Sequence, residues 1–328
     1  MNKAELELYK KLSPELSWNK ARLTCFIKML MALFCVKTIN LTAIATAMDS
    51  DAKIDSRYRR VRRFFTEFNI DRTVIARFIF KWFLLGQDKH YLIFDRTNWK
   101  LGKQDINVLM LSVAYGGISI PLFWINLGRA GNSNTPQRIE LIECYISTFG
   151  SKHIAGVLGD REFIGKVWFS YLITKGIHFY IRIKSDTMLP NSKGKLVPAK
   201  HLFQSIQGGE YRLIHDCIIW GMTLSLAVMR DDKGYLKIVV TNHNVEKAFV
   251  IYNIRQTIET LFGCLKTRGC RFEDTHITDP EKIDRLLVLL AINFCWAYKM
   301  GEWKNNNIAP IKLKAHGRKA VSIFRYGF

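Results

Sequence analysis

Four polar residues in the last third of the chain are spaced as they would be along one side of a helix. Tyr252, Arg255, Glu259 and Lys266 lie in the segment YNIRQTIETLFGCLK, at offsets of three, seven and fourteen from the tyrosine. At 3.6 residues per turn, these offsets return to nearly the same side of a helix. The apolar residues between them fall mostly on another side. The segment therefore predicts a helix with one buried face and one polar face.

This polar face favours a metal site that receives a nucleic-acid backbone. The carboxylate of Glu259 would hold the cation, and the basic groups beside it would hold phosphates. The alternative is a solvated helix face, which is what charged residues at helical spacing usually form.

Two aspartates earlier in the chain favour the metal site. Asp95 in YLIFDRTNW and Asp160 in IAGVLGDREF each follow a short apolar run, so each is expected at the end of a buried strand. The separations are 160 − 95 = 65 and 259 − 160 = 99 residues. A carboxylate at a buried strand end is costly unless a positive charge compensates it. Because successive strand side chains point to opposite faces, Arg96 and Arg161 are poor candidates, and a divalent cation is a better one.

Together these residues resemble the DDE transposases of bacterial insertion sequences, in the branch marked by the signature Y-x2-R-x3-E-x6-K. The signature is complete at the four positions described above, and the D-R-E-F pattern of the family is complete from Asp160 to Phe163. Asp95 in LIFDRTNWKLG resembles the family's first aspartate. The resemblance runs from about residue 35 to the carboxyl terminus.

The resemblance implies a DNA transposase of the ribonuclease-H-like, or retroviral integrase, superfamily. Asp95, Asp160 and Glu259 would be the catalytic residues and the ligands of two Mg²⁺ ions roughly 3.5–4 Å apart, with Mn²⁺ as a substitute. The enzyme would nick DNA at the ends of an element, and the freed 3′-hydroxyl would attack the opposite strand or a target. Two alternatives remain open: a metal-dependent endonuclease without strand joining, and a non-catalytic DNA-binding derivative.

The implied partner is double-stranded DNA, as terminal inverted repeats and as target. The terminal phosphates would be held by Tyr252, Arg255 and Lys266. Transposases of this kind usually work as dimers bound to two ends, so a homodimer is expected. The net charge of 49 − 28 = +21 agrees with a polyanionic partner, although a membrane surface is also anionic.

The expected fold class is α/β: a ribonuclease-H-like catalytic domain, with helices flanking a mixed sheet, plus a β-rich insertion and an N-terminal helical DNA-binding domain. The predicted boundaries are 1–70 for the helix-turn-helix-like domain, 85–185 for the first part of the catalytic core, 186–245 for the insertion, 246–300 for the second part of the core and 301–328 for a basic tail. The tail is interpreted either as a DNA-binding arm or as a disordered end.

The uncharged stretch from Ile106 to Leu127 has the length of a membrane span. However, Gly116 and Gly117 interrupt it and Pro121 follows, which favours two buried strands joined by a tight hairpin. The ribonuclease-H-like fold begins with three antiparallel strands, so the hairpin has a place there. No membrane partner is expected.

Residues 18–65 show a helical pattern without strand-like alternation. Two short helices around the polar segment DSDAKID indicate a helix-turn-helix, with Ser56 as the expected N-cap of the second. That second helix is rich in arginines that would contact DNA phosphates or base edges: Arg57, Arg59, Arg60, Arg62 and Arg63. The alternative is a basic helix that is solvated or packed on a partner.

Trp220 in the predicted insertion has two interpretations. By resemblance it would contact DNA by stacking on a flipped base. The alternative is a buried strand tryptophan. Further along the chain, helices are expected at residues 135–149, 164–175 and 281–299, with a strand at HFYIRIK.

The seven cysteines are odd in number, scattered and without a C-x2-C pair. This argues against a disulfide framework and a structural zinc site. Reduced thiols and an N-terminus unlike a signal peptide predict a cytoplasmic protein. The resemblance implies association with the bacterial nucleoid.

Overall fold

The structure is a computed structural model that describes residues 1–86 and 88–328. The chain divides into two compact units. Unit 1 contains Met1–Leu85, Asn98–Asn107 and Thr260–Phe328, and unit 2 contains Gly86–Thr97 and Val108–Glu259. The five-part division into domains expected from the sequence stays a prediction.

The predicted helices and strands occur in the predicted order. The helices are α1 (Lys3–Leu16), α2 (Lys20–Val36), α3 (Leu41–Ala47), α4 (Ile54–Glu67), α5 (Arg72–Phe83), α6 (Thr135–Phe149), α7 (Lys166–Thr174), α8 (Ala199–Leu202), α9 (Ala248–Asn253), α10 (Thr257–Leu265), α11 (Pro280–Asn307) and α12 (Ile323–Gly327). The strands are β1 (His90–Leu101), β2 (Gln104–Tyr115), β3 (Ile118–Asn126), β4 (Ile154–Gly159), β5 (Phe179–Ile183), β6 (Met188–Pro190), β7 (Leu196–Pro198), β8 (Tyr211–Ile219), β9 (Met222–Arg230) and β10 (Leu236–Thr241). Helices α1, α5, α8 and α12 are additional to the predicted ones.

The N-terminal part of unit 1 is helical, as its pattern predicts. Asn40 caps α3 by accepting hydrogen bonds from the N–H groups of Thr42 and Ala43. The predicted N-cap of α4 is wrong: the helix begins at Ile54, three residues after Asp51 in the polar segment, and Ser56 lies inside it. The carboxylate of Asp55 in the first turn complements the helix dipole and stabilises this earlier start.

The carboxyl-terminal segment of unit 1 is ordered against α11. Helix α11 ends at Asn307, eight residues beyond the predicted end at 299. In α12, Phe324 is 3% exposed, and its ring centroid lies 5.4 Å from that of Phe294 in α11. The interpretation of the tail as a disordered end is therefore wrong, because its aromatic residues supply apolar surface for packing.

One mixed sheet of eight strands runs through the fold, in the order β3-β2-β1-β4-β5-β10-β9-β8. β1 pairs with β4 and β4 with β5 in parallel, whereas β2 and β3 are antiparallel. Gly116 and Gly117, with φ of 50° and 84°, form the turn between β2 and β3. The predicted hairpin is therefore confirmed.

The segment from 186 to 245 is rich in strands, as predicted. Its last strand, β10, pairs antiparallel with β5, and β9 and β8 follow antiparallel in turn. The segment thus extends the sheet of unit 2 instead of forming a sheet of its own. Only the short pair β6–β7 lies outside it among the strands of the described residues.

Helices pack on the unit 2 sheet through aromatic side chains. The ring of Trp168 in α7 lies 5.6 Å from that of Phe94 in β1, and Phe169 lies 4.5 Å from Phe179 in β5. Helix α6 has the predicted bounds, and α7 lies within the predicted range 164–175. The α/β prediction is confirmed.

All seven cysteines are free thiols. Across residues 1–86 and 88–328, no single helix has the length and apolar composition to cross a membrane; α2 and α3 pass that test only as a pair, bent by 102°.

Candidate active site

The two aspartates lie at the same edge of neighbouring parallel strands. β1 and β4 pair in register up to Phe94 and Gly159, and Asp95 and Asp160 are the next residues of each chain segment. Asp160 directly follows the end of β4, as predicted. Asp95 was expected at a strand end, but β1 continues to Leu101. It is the pairing with β4 that ends there, because β4 stops at Gly159.

The segment with the four spaced polar residues is not one continuous helix. Helix α9 ends at Asn253, a 3₁₀ turn spans Ile254–Gln256, and α10 begins at Thr257. The hydroxyl of Thr257 donates to the Ile254 carbonyl at 2.8 Å, and such local bonds compete with the helical ladder. The prediction of one continuous helix is therefore wrong, although Glu259 does lie on a helix, in the first turn of α10.

The guanidinium of Arg255, in the 3₁₀ turn, contacts all three carboxylates. Its Nη2 lies 2.8 Å from Oδ2 of Asp95 and 3.8 Å from Oδ2 of Asp160. Its Nη1 lies 3.0 Å from Oε1 of Glu259. The Arg255 side chain is 11% exposed and that of Glu259 is 63% exposed. Carboxylates from three distant chain segments thus meet around one cation.

Burial has the largest effect on the pKa of Asp95. Desolvation raises its pKa to about 6, against the opposing effects of Arg255 and of the Arg96 N–H, which donates to Oδ1 at 2.8 Å. For Arg255, burial lowers the pKa, but the charges of Asp95 and other neighbours outweigh it and raise the pKa overall. Arg255 therefore stays charged, and the Asp95 carboxyl is protonated more easily than an ordinary aspartate.

The phenol of Tyr252 lies beside the same cluster. Its pKa is raised to about 12, first by burial and then by the charge of Asp160, against the opposing effects of Arg255 and Arg182. The phenol therefore remains protonated near neutral pH and can act as a hydrogen-bond donor.

A comparison with known families decides what kind of protein this is. Residues 86–296, more than half of the chain, match the family described as "Transposase DDE domain". The chain is a DDE transposase. Members of this family act in DNA transposition and recombination, and Asp95, Asp160, Arg255 and Glu259 all lie within the matched range.

Among solved structures, the transposase is similar to the piggyBac transposase in its synaptic complex with hairpin DNA. The two share 12% identity with a TM-score of 0.50, over 100% of this chain and 76% of that one. At this identity the likeness shows the fold alone, which is ribonuclease-H-like as predicted. Endonuclease V of Ciona intestinalis shares 16% identity with a TM-score of 0.32, over 61% of this chain and 83% of that one. A search of curated proteins finds no match.

The donor atoms suit a hard divalent cation, but Arg255 lies between them. Carboxylate oxygens are the ligands that Mg²⁺ and Mn²⁺ prefer. Three carboxylates and one guanidinium leave a formal charge of −3 + 1 = −2, which a divalent ion would balance. Nevertheless, within the described part of the chain no three His, Cys, Asp or Glu side chains are placed to share a metal ion. Instead, Nη1 of Arg255 contacts Glu259 and Nη2 contacts the two aspartates.

The other sequence-predicted site residues lie in several places. Lys266 follows α10 directly, and its Nζ pairs with Oε1 of Glu273 at 2.6 Å and lies 5.6 Å from the Trp99 ring. Trp220 is in the turn between β8 and β9 with φ of 53°, half-buried, and its ring lies 5.6 Å from that of Phe169. It is therefore not the buried strand tryptophan of the alternative interpretation, and its DNA contact stays a prediction.

The arginines of α4 divide into two groups. Arg57 donates to the carbonyls of Ala52, Thr46 and Met48 at 2.8, 3.1 and 2.7 Å, so its guanidinium holds the end of α3. The other four are exposed on the helix: Arg59, Arg60, Arg62 and Arg63. A groove of about 650 Å³ within unit 1 has apolar residues and Glu67 in its lining, together with four basic residues of two helices: Lys20, Arg22, Arg60 and Arg63.

Sequence reasoning missed one strong interaction near the aspartates. Arg96 forms a two-pronged ion pair with Glu162, with both N···O distances at 2.6 Å. Glu162 stood within the D-R-E-F pattern, and Arg96 was correctly predicted to turn away from Asp95. Nothing in the local spacing could join two residues that are 66 positions apart.

Proposed function

We propose that the chain is the transposase of a bacterial insertion sequence, in the branch with the Y-x2-R-x3-E-x6-K signature. It would cut DNA at the ends of the element and join the freed ends to target DNA. The observation that carries the proposal is the meeting of Asp95, Asp160 and Glu259 on the guanidinium of Arg255. The complete signature and D-R-E-F patterns support it.

Asp95, Asp160 and Glu259 would hold divalent cations, Mg²⁺ or Mn²⁺, and we expect two of them. Such ions supply activation of a water or 3′-hydroxyl and stabilisation of charge on the phosphodiester oxygens. The protein's part is to fix the three carboxylates on a rigid strand edge and the first turn of a helix. The Asp95 and Arg255 side chains are only 15% and 11% exposed, so little water is present to weaken the electrostatic interactions between these charges.

Arg255 would change partners during the reaction. Without metal its guanidinium compensates the carboxylates, and a cation that takes this place leaves the guanidinium free for a DNA phosphate. Tyr252, as a protonated phenol, would donate to the same backbone, and Lys266 would hold a further phosphate by exchanging its partner Glu273. Arg255 could thus bind a phosphate, as the sequence predicts, and also contact the three carboxylates when no metal is bound.

The partner would be duplex DNA carrying the element's terminal inverted repeats, bound by two copies of the chain in the cytoplasm. The net charge of +21 supports a polyanionic partner. The exposed arginines of α4 would supply part of the contact surface.

The experiment uses DNA that spans the flanks of the chain's own gene, incubated with purified protein and Mg²⁺ or Mn²⁺. We expect discrete cleavage at mirrored repeats followed by joining to a second duplex, and neither product with Glu259→Gln, which should still bind DNA. Cleavage without joining would identify an endonuclease instead. Specific binding without metal-dependent cleavage would identify a non-catalytic derivative.

A further inference from the structure

The two aspartates stand just beyond the hydrogen-bonded register of their strands. The pairing of β1 with β4 ends at Phe94 and Gly159, one residue before each aspartate. Neighbouring carboxylates carry like charges that repel each other. Besides Arg255, which contacts both aspartates, a further contact is therefore needed to fix the strand edge where they lie.

A two-pronged ion pair joins the residues that follow the aspartates. Nε of Arg96 donates to Oε1 of Glu162 and Nη2 donates to Oε2, each at 2.6 Å. The two side chains are 14% and 18% exposed. Parallel bonds from a planar guanidinium to a carboxylate constrain orientation as well as distance. This pair therefore fixes residue 96, next to Asp95, against residue 162, two positions after Asp160.

Further hydrogen bonds anchor both members of the pair. Nη1 of Arg96 donates to the Gly131 carbonyl at 2.8 Å, and Nη2 donates to Oδ1 of Asn132 at 3.0 Å. On the other side, the Glu162 carbonyl accepts from Nη2 of Arg138 at 2.9 Å.

Arg138 in turn is fixed within the fold. It is 4% exposed, and it donates to the carbonyl of Ser133 at 2.7 Å and to its hydroxyl at 3.0 Å. Its guanidinium carbon lies 5.2 Å from the ring centroid of Phe163, which is buried. The ion pair therefore rests on α6 and on the core beneath the D-R-E-F turn, so it cannot shift freely.

We propose that Arg96 and Glu162 form a positioning pair that sets the spacing of Asp95 and Asp160 for metal binding. Neither side chain needs to touch metal or DNA. This inference rests on the proposed metal-dependent function. It gives the glutamate of the D-R-E-F pattern a role that differs from that of a metal ligand.

A double-mutant cycle on Mn²⁺ affinity tests the pair. The full chain and its Arg96→Gln, Glu162→Gln and doubly substituted forms would be titrated with Mn²⁺, with free Mn²⁺ measured by electron paramagnetic resonance. Binding that is lost in Asp95→Asn defines the site. We expect each single change to weaken Mn²⁺ binding roughly tenfold or more, with melting temperatures recorded for each variant. Because both changes remove the same contact, the doubly substituted form should lose about as much Mn²⁺ affinity as either single variant.

Two further variants separate positioning from charge and from general stability. Arg96→Lys keeps the charge but lacks the fork, so we expect it to weaken Mn²⁺ binding as Arg96→Gln does, even where the neutral variants fail to fold. Glu143→Gln breaks the exposed ion pair with Lys175, at 2.7 Å, and should leave Mn²⁺ affinity unchanged.

The possible failures are distinguishable. Wild-type affinity in Arg96→Lys and in the folded single variants, or losses that simply add in the double variant, would overturn the positioning pair alone. A wild-type chain that binds no Mn²⁺ at this site, with or without DNA, would overturn the proposed function and this inference with it.

Discussion

At the scale of single residues, Arg255 is the centre of the site. One guanidinium at 11% exposure contacts carboxylates that come from positions 95, 160 and 259. Sequence spacing gave this residue a phosphate-binding role, and only the fold shows that it also compensates the acidic cluster. If the three carboxylates hold a cation as proposed, that cation and Arg255 compete for the same ligands.

This competition makes a prediction for Arg255→Ala. Without DNA, the variant should bind Mn²⁺ several-fold more tightly than the wild type, because no internal cation has to be displaced. Its metal-free form should melt at a lower temperature, since three carboxylates then lie together without compensation. Titration with Mn²⁺ and a melting curve check both parts. Weaker binding by the variant would show that Arg255 helps to assemble the site instead.

The raised pKa of Asp95 predicts a specific pH dependence of stability. Its pKa is about 6 in the folded protein, against a usual value of 3.8, so the folded state binds the proton more tightly. This carboxyl group therefore lowers the free energy of unfolding as pH rises from about 4 to 6, by at most ~1.4 kcal/mol per pH unit. Above pH 6 its contribution levels off.

Asp95→Asn should remove that slope. The measurement is the difference in denaturant-induced unfolding between wild type and variant across this pH range, without metal. A difference that stays constant with pH would contradict the assignment of the raised pKa to Asp95.

At the scale of elements, the D-R-E-F turn is tightly fitted to the strand before it. A Cβ at Gly159 would lie 2.9 Å from the Cβ of Phe163, and Phe163 is buried with its ring 5.8 Å from that of Phe94. A side chain at residue 159 would therefore force the backbone there or the buried Phe163 to shift. The end of β4 and the turn that carries Asp160 therefore depend on glycine at this position.

Gly159→Ala should consequently destabilise the protein by about 1–3 kcal/mol and weaken Mn²⁺ binding by shifting Asp160. Gly208→Ala is the matched control, since a Cβ there meets its nearest neighbour at an ordinary 3.6 Å. Chemical denaturation and Mn²⁺ titration measure the two effects. Equal stabilities of the two variants would mean that the turn accommodates a side chain.

The elements also show how far sequence reasoning reaches. Local patterns predicted the β2–β3 hairpin, the bounds of α6 and the strand that ends at Asp160, because apolar runs, glycines and caps act locally. They missed the 3₁₀ turn at Ile254–Gln256, where the hydroxyl of Thr257 donates to the Ile254 carbonyl. They also missed that β10 continues the sheet next to β5, because strand pairing joins residues far apart in the chain.

At the scale of the whole molecule, the net charge of +21 favours binding of a polyanion, so a basic surface for DNA is expected. The composition predicted a polyanionic partner, but it could not show which arginines of α4 are exposed. Arg57 is engaged by carbonyl groups, whereas Arg60 and Arg63 are exposed along a groove that also contains Lys20 and Arg22. The exposed guanidinium groups of Arg60 and Arg63 can therefore contact DNA phosphates.

The doubly substituted variant Arg60→Ala/Arg63→Ala should therefore bind DNA more weakly. The slope of log affinity against log salt should fall by about two, one for each lost phosphate contact. Arg57→Ala should instead lower the melting temperature and leave the slope unchanged. DNA-binding titrations over a range of salt concentrations measure the slopes, and an unchanged slope in the double variant would remove this groove from the DNA surface.

The central claim is that the three carboxylates are metal ligands of a DNA-cleaving site. The most direct measurement is the rate of cleavage of the gene's flanking DNA by Asp95→Cys in Mg²⁺ and in Mn²⁺, beside wild type and Asp95→Asn. A thiolate is a poor ligand for Mg²⁺ and a better one for Mn²⁺. The account predicts that the cysteine variant is inactive in Mg²⁺ and regains cleavage in Mn²⁺, whereas Asp95→Asn is inactive in both. Equal activity of Asp95→Cys in the two metals, at any level, would contradict it.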